Sequence, residues 1–113
     1  MRCWYSTATW SGDAVGAAFY VLLIVSVLAY LADWHQTLTI FRNPLKWREL
    51  NPVIRWLHAT MGPEGVDLWF IVTVMASTLI AYWLPVPMDV LWLVMNVIVE
   101  GAFVLHNWQM GIK

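Results

Sequence analysis

The sequence predicts an all-α membrane protein: three transmembrane helices, with a short interfacial amphipathic helix between the first and the second. Three observations predict it. Hydrophobic residues make up 61% of the 113 residues and charged residues only 12%. A water-soluble domain of that length has too little interior to hide so much apolar surface, whereas lipid as solvent removes the need. Three apolar stretches are each long enough, at about 1.5 Å per residue, to cross roughly 30 Å of hydrocarbon. Four of the six basic residues, Arg42, Lys46, Arg48 and Arg55, fall in one connection, which the positive-inside rule places in the cytoplasm.

The first span is expected over about 14–40. Ser11, Gly12 and Asp13 just before it are good helix-start residues. Its apolar heart is Ala17 to Ala32, so its last turns should protrude into the inner headgroup layer. The second span is expected over about 67–84 and the third over about 89–110. Pro85-Val86-Pro87-Met88 joins them, a link so short that these two spans must form a tight antiparallel hairpin. The whole chain, 1–113, reads as a single membrane domain of a bacterial inner membrane, N-terminus outside and C-terminus cytoplasmic. Its first apolar run is too long for the h-region of a cleavable signal peptide. The nine Trp agree with this topology. Trp4, Trp10, Trp83 and Trp92 fall at one boundary, and Trp34, Trp47, Trp56, Trp69 and Trp108 at the other, where ring and N–H can both be satisfied.

The inner connection has structure of its own. Glu49-Leu50-Asn51-Pro52 reads as a helix start, with Asn51 as cap and Pro52 at the first helical position. Val53, Ile54, Trp56 and Leu57 supply an apolar face over about 51–61, and Met61-Gly62-Pro63 ends it. Arg55 and His58 are expected to face lipid phosphates from this surface helix.

Composition excludes several functions. A net charge of −1 without a basic, aromatic-interleaved patch argues against nucleic acid as a partner. The single cysteine, Cys3, forms no internal disulfide and no multi-Cys zinc site. No nucleophile–base pair, phosphate-binding glycine loop or pair of carboxylates can be assembled, so the chain is not expected to be an enzyme.

Polar residues inside spans are where function would reside, because each is costly in hydrocarbon. Glu100 is the sharpest, near the middle of the third span. Asn96 and Asn107 share about its helical face, and Thr73, Ser77 and Thr78 of the second span lie at a depth to reach them. The functional reading is a proton or cation site. The plainer one, favoured because no second intramembrane acid is evident, is a protonated Glu100 hydrogen-bonded to a neighbouring helix or subunit. A second cluster, Asp33, His35, Gln36 and Thr37, closes the first span, with Asp33 and Thr37 on one face at i, i+4. It reads as a wet network anchoring the inner connection; a metal or anion site with Glu49, Asn51 or His58 is the sharper alternative, without supporting HxxxH or HExxH spacing. His106, and less so His35, could ligate a haem or chlorophyll, although a packing or interfacial role is commoner.

Asp33-x-x-x-Thr37, Glu49-Leu50-Asn51-Pro52 and the late Asn107 together resemble an uncharacterised family of small bacterial and archaeal three-helix membrane proteins. The likeness covers about Val27 to Trp108. It departs where that family often has a Lys opening the second span and this chain reads Asp67-Leu68-Trp69. The resemblance implies this topology, and that Asp33, Thr37, Glu49, Asn51 and Asn107 form one polar cluster at the inner face. It implies no activity.

The leading functional expectation is a non-catalytic accessory subunit of a larger bioenergetic complex, specifically a photosynthetic reaction-centre or light-harvesting core. There it would pack against other integral membrane subunits and lipids and shape a quinone path. No intrinsic cofactor is expected; contacts with lipid, quinone, (bacterio)chlorophyll or carotenoid are. The alternatives are a small ion or proton transporter or channel subunit using Glu100, and a phage-type holin or exclusion protein. On any of them the chain should stay in the membrane pellet through alkaline extraction, and protease added from the periplasmic side should leave the 41–65 connection uncut; release into the soluble fraction would refute the topology.

Overall fold

The computed structural model describes residues 12–112, which form four helices. They are α1 (Gly12–Arg42), α2 (Pro52–Met61), α3 (Pro63–Trp83) and α4 (Met88–Gln109). Three are long and apolar enough to cross a membrane: Gly16–Arg42 within α1, α3 and α4. Cys3, Trp4, Trp10 and the Ser11 start lie outside the described residues.

The apolar residues sort by direction. Leu28, Met75 and Ile98 stand 57%, 60% and 64% exposed on the outside of the bundle, where water would penalise them and lipid does not. Inside, two small apolar layers hold the helices. Phe19, Ala81 and Leu93 close the end near the α3–α4 link, with Leu22, Leu23 and Trp92 around them. Ile54, Val66 and Phe70 close the other end, with Trp34, Leu38 and Trp69 against them. Between the layers the interior is polar: Ser26, Gln36, Thr37, Ser77 and Asn96 are all buried.

Hydrogen bonds define how the helices run. Tyr30 donates to Asn96 at 2.6 Å and Gln36 donates to the Val104 carbonyl at 3.1 Å. Partners therefore rise together along α1 and α4, and these two helices are parallel. Trp34 of α1 meets Asp67 and Phe70, whereas Phe19 meets Tyr82, so α3 is antiparallel to α1. The link from Leu84 to Pro87, with a cis Val86–Pro87 bond, turns α3 back into α4.

At the opposite end the chain makes a tighter corner. Asn51 Oδ1 accepts from the N–H groups of Val53 and Ile54 at 2.9 and 3.4 Å, satisfying donors that a helix start leaves unpaired. Pro52 follows, where its missing N–H costs nothing. Gly62 alone separates α2 from α3; its φ of +74° is the left-handed region that favours glycine. Its N–H caps the His58 carbonyl at 2.8 Å, and Pro63 starts α3 at once. The second long helix, α3, therefore begins earlier than the apolar pattern indicates, and α2 folds straight back against it.

Several aromatic side chains find their partners within the bundle. Trp56, Trp83 and Trp108 are exposed. Trp34 instead stacks on Phe70, with ring centroids 6.0 Å apart, and donates to Asp67 at 2.8 Å. Trp92 donates to the Ser77 carbonyl at 3.0 Å, so its N–H is satisfied within the bundle rather than at a headgroup. Trp69 packs on the apolar layer near α2. A buried N–H needs a partner wherever it sits, and the neighbouring helix supplies it. His58 also turns away from its expected outward position, stacking on Phe41 at 3.9 Å, and Arg55 is half-buried with an enclosed Nε.

A Cβ on Gly65 would lie 2.5 Å from the Leu57 carbonyl oxygen, whereas one on Gly101 meets nothing within 4 Å. Gly65→Ala should therefore destabilise the α2–α3 corner by about 1–3 kcal/mol, and Gly101→Ala should not, as read by thermal unfolding in detergent.

Candidate functional site

The polar interior is organised by sequence spacing on α1 and α4. On α1, Tyr30, Asp33 and Gln36 recur every three residues; on α4, Asn96, Glu100 and Val104 recur every four. Both spacings keep one helix face turned to the partner. The parallel register then sets Tyr30 beside Asn96, Asp33 beside Glu100, and Gln36 beside Val104.

The central step is the chemically active one. The side chains of Asp33 and Glu100 lie within interaction distance of each other. Carboxylates only accept, so a direct hydrogen bond between the two forms only when one of them carries a proton. Two ionised carboxylates so close, away from water, would repel strongly. Thr37 Oγ1 lies 3.5 Å from Asp33 Oδ1 and donates to it. Glu100 Oε2 is buried and has no hydrogen-bond partner. The absence of paired carboxylates expected from the sequence is thus corrected. The two acids assigned to separate clusters form one pair, because they lie 67 residues apart in sequence and one helical step apart in space.

The pair lines a cavity of about 660 Å³ that extends toward the 43–51 connection. Glu49, Asn51, Asn107 and His106 share its wall, as do Tyr30 and Arg48. The Asn51 N–H donates to Glu49 Oε1 at 3.1 Å, so the residue that caps α2 also aims the Glu49 carboxyl. Burial pushes that carboxyl above its ordinary range; the Asn51 N–H opposes this and nearby Asp33 adds to it.

Below and above the pair the other expected residues part company. Asn96 gathers one network, accepting from Tyr30 and, at 3.2 Å, from Ser77, while donating to the Trp92 carbonyl at 2.8 Å. Asn107 donates instead to Gln36 Oε1 at 3.2 Å, and Gln36 also reaches the Ile112 carbonyl at 3.4 Å. Thr73 lines the cavity, but its hydroxyl turns back to the Trp69 carbonyl of its own helix at 2.8 Å. Membrane-embedded Thr commonly does this, and it forms no bond to Glu100. His35 is exposed on α1, away from the cavity, and His58 lines a separate, smaller one with Arg42 and Asp67. Tyr30 and Arg48 were not singled out as site residues from the sequence, whereas Gln36 was, in the cluster that closes the first span. For Tyr30 the signal was present as a three-residue periodicity with Asp33 and Gln36.

Comparison with known protein families, with curated proteins and with solved structures finds no match for this chain. The site must therefore be read from its own chemistry.

Because the folded state raises the Glu49 carboxyl above its unfolded range, the native form binds more protons there. Stability from this group is full below the ordinary carboxylate range and falls as pH rises through the raised one. Thermal unfolding followed against pH should show that decline in the wild type and a flatter profile in Glu49→Gln.

Proposed function

We propose that this chain is a small multi-pass membrane protein that takes up and releases protons, or exchanges them for cations, at the Asp33–Glu100 pair. One observation carries the reading: two carboxyl groups on different apolar helices lie side by side and line a cavity. Ionisable residues in spans are costly and are retained where they handle charge. A paired, proton-sharing arrangement separates the two ionisations, so one group can stay neutral while the other titrates. In this reading the 43–51 connection faces the cytoplasm, with Arg42, Lys46 and Arg48 held there by the positive-inside preference. The amphipathic α2 lies at that surface, exposing Val53 and Trp56 to the headgroup boundary. Glu49 stands between cytoplasmic water and the pair. Enzymatic turnover has no part in this proposal.

The accessory-subunit reading, with its quinone or pigment contacts at His106 and the exposed apolar faces, lacks an observation of comparable weight. Lipid by itself accounts for the exposed Leu, Ile and Met side chains. The same holds for a holin, and for membership of the three-helix family that the Asp33…Asn107 pattern resembles.

Infrared difference spectra of the protein in lipid, recorded across a pH series, test the proposal. A protonated-carboxyl band should respond to bulk pH in the wild type, and its pH response should change in Asp33→Asn and in Glu100→Gln. Gln can still donate to Asp33, so Glu100→Gln should unfold within about 1 kcal/mol of the wild type. A band that ignores bulk pH would make the pair a static helix clamp and end the exchange reading.

A further inference from the structure

The cavity beside the carboxyl pair is much larger than proton exchange requires. Its volume of about 660 Å³ is that of an organic-ligand pocket, and a water needs only about 30 Å³. A bare metal ion would need oxygens converging at about 2–2.6 Å, a poor match to so wide a space. Its walls combine two chemistries. Asp33, Glu49 and Glu100 bring carboxyls from α1, the 43–51 connection and α4, while Tyr30, Trp69 and Phe103 bring aromatic rings. Ring faces and carboxylates both attract organic ammonium groups, the rings through their quadrupole. The rings also offer apolar area to a hydrocarbon body.

Glu100 and Asp33 place two carboxyls next to each other in this wall, on α4 and α1. The charges facing the carboxyls from the surrounding elements are Arg48 and Arg55, and His106 also lines the wall. Arg48 is exposed, and the charge of Arg55 acts on Glu49.

We propose that this cavity binds a small organic ammonium ion, its N–H groups donated to Glu100 and Asp33 and its apolar body set against Trp69 and Phe103. The proposal rests on the exchange reading and names its substrate class. Binding one ammonium displaces the proton shared by the pair, which leaves through the Glu49 side to water, so net charge in the site is conserved. Selectivity then comes from the pairing of carboxyl and ring. An uncharged molecule of the same shape satisfies only the ring, and a sodium ion only the carboxyls.

The test is calorimetric titration of the full chain in lipid nanodiscs with benzylammonium chloride, with benzyl alcohol as the uncharged counterpart and sodium chloride as the inorganic one. Saturable benzylammonium binding that weakens as pH falls, with proton release into a weak buffer, is the expected result. Glu100→Gln should abolish it. Phe103→Ala, at a position 56% exposed and so harmless to folding, should weaken it about tenfold. Equal binding of benzyl alcohol, or displacement by sodium at matched concentration, overturns the proposal. If the pair exchanges protons in the infrared series but benzylammonium does not bind, the ligand assignment falls and the exchange reading stands; if neither is seen, both fall.

Discussion

Two carboxyl groups brought side by side constrain the rest of this molecule. Asp33 and Glu100 sit on helices that are not adjacent in sequence, in the wall of one cavity. Either acid alone would carry a full desolvation penalty if ionised. Side by side, they let the site hold less charge by sharing a proton, and they meet only if α1 and α4 lie parallel at one particular register. Sliding one helix by a turn against the other would break the Tyr30–Asn96 and Gln36–Val104 contacts along with the carboxyl pair.

Polar contacts specify the bundle because apolar ones cannot. In lipid, a Leu gains little by leaving the acyl chains for another Leu, so helices associate through packing and interhelical hydrogen bonds, each worth about 0.6 kcal/mol on average and up to about 2. The buried apolar residues are accordingly few and grouped in two layers at the ends. Asn96 is the hub of the middle, where Tyr30, Ser77 and Trp92 from three helices meet around one side chain or its neighbours. Such a network gives little energy per bond but many ways for a wrong register to leave a group unpaired.

The corner formed by α2 serves the site indirectly. Asn51 does two things at once: its side chain caps α2 and its backbone N–H holds Glu49. Gly62 supplies the left-handed turn, and Gly65 lets the Leu57 carbonyl approach α3 more closely than any side chain would allow. The connection between the first two long helices is thereby pinned over the mouth of the cavity, with Glu49 aimed inward, rather than left as a loose basic loop.

The number and type of helices were legible in the sequence, since length and apolar content alone identify a segment able to cross a membrane. So was the Asn51-Pro52 start of α2, because capping is a local matter of residues three apart. Glu100 could be flagged by its cost in an apolar stretch. Its partner could not, because nothing in a linear pattern says which face of α1 meets which face of α4, or that the two run side by side rather than being separated by α3. For the same reason Trp34 and Trp92, which composition assigns to a boundary, spend their N–H groups on Asp67 and Ser77. Local chemistry determined the elements; only the packing of distant helices, through directional hydrogen bonds with no counterpart in hydropathy, decided that two separate acids became one pair beside a cavity.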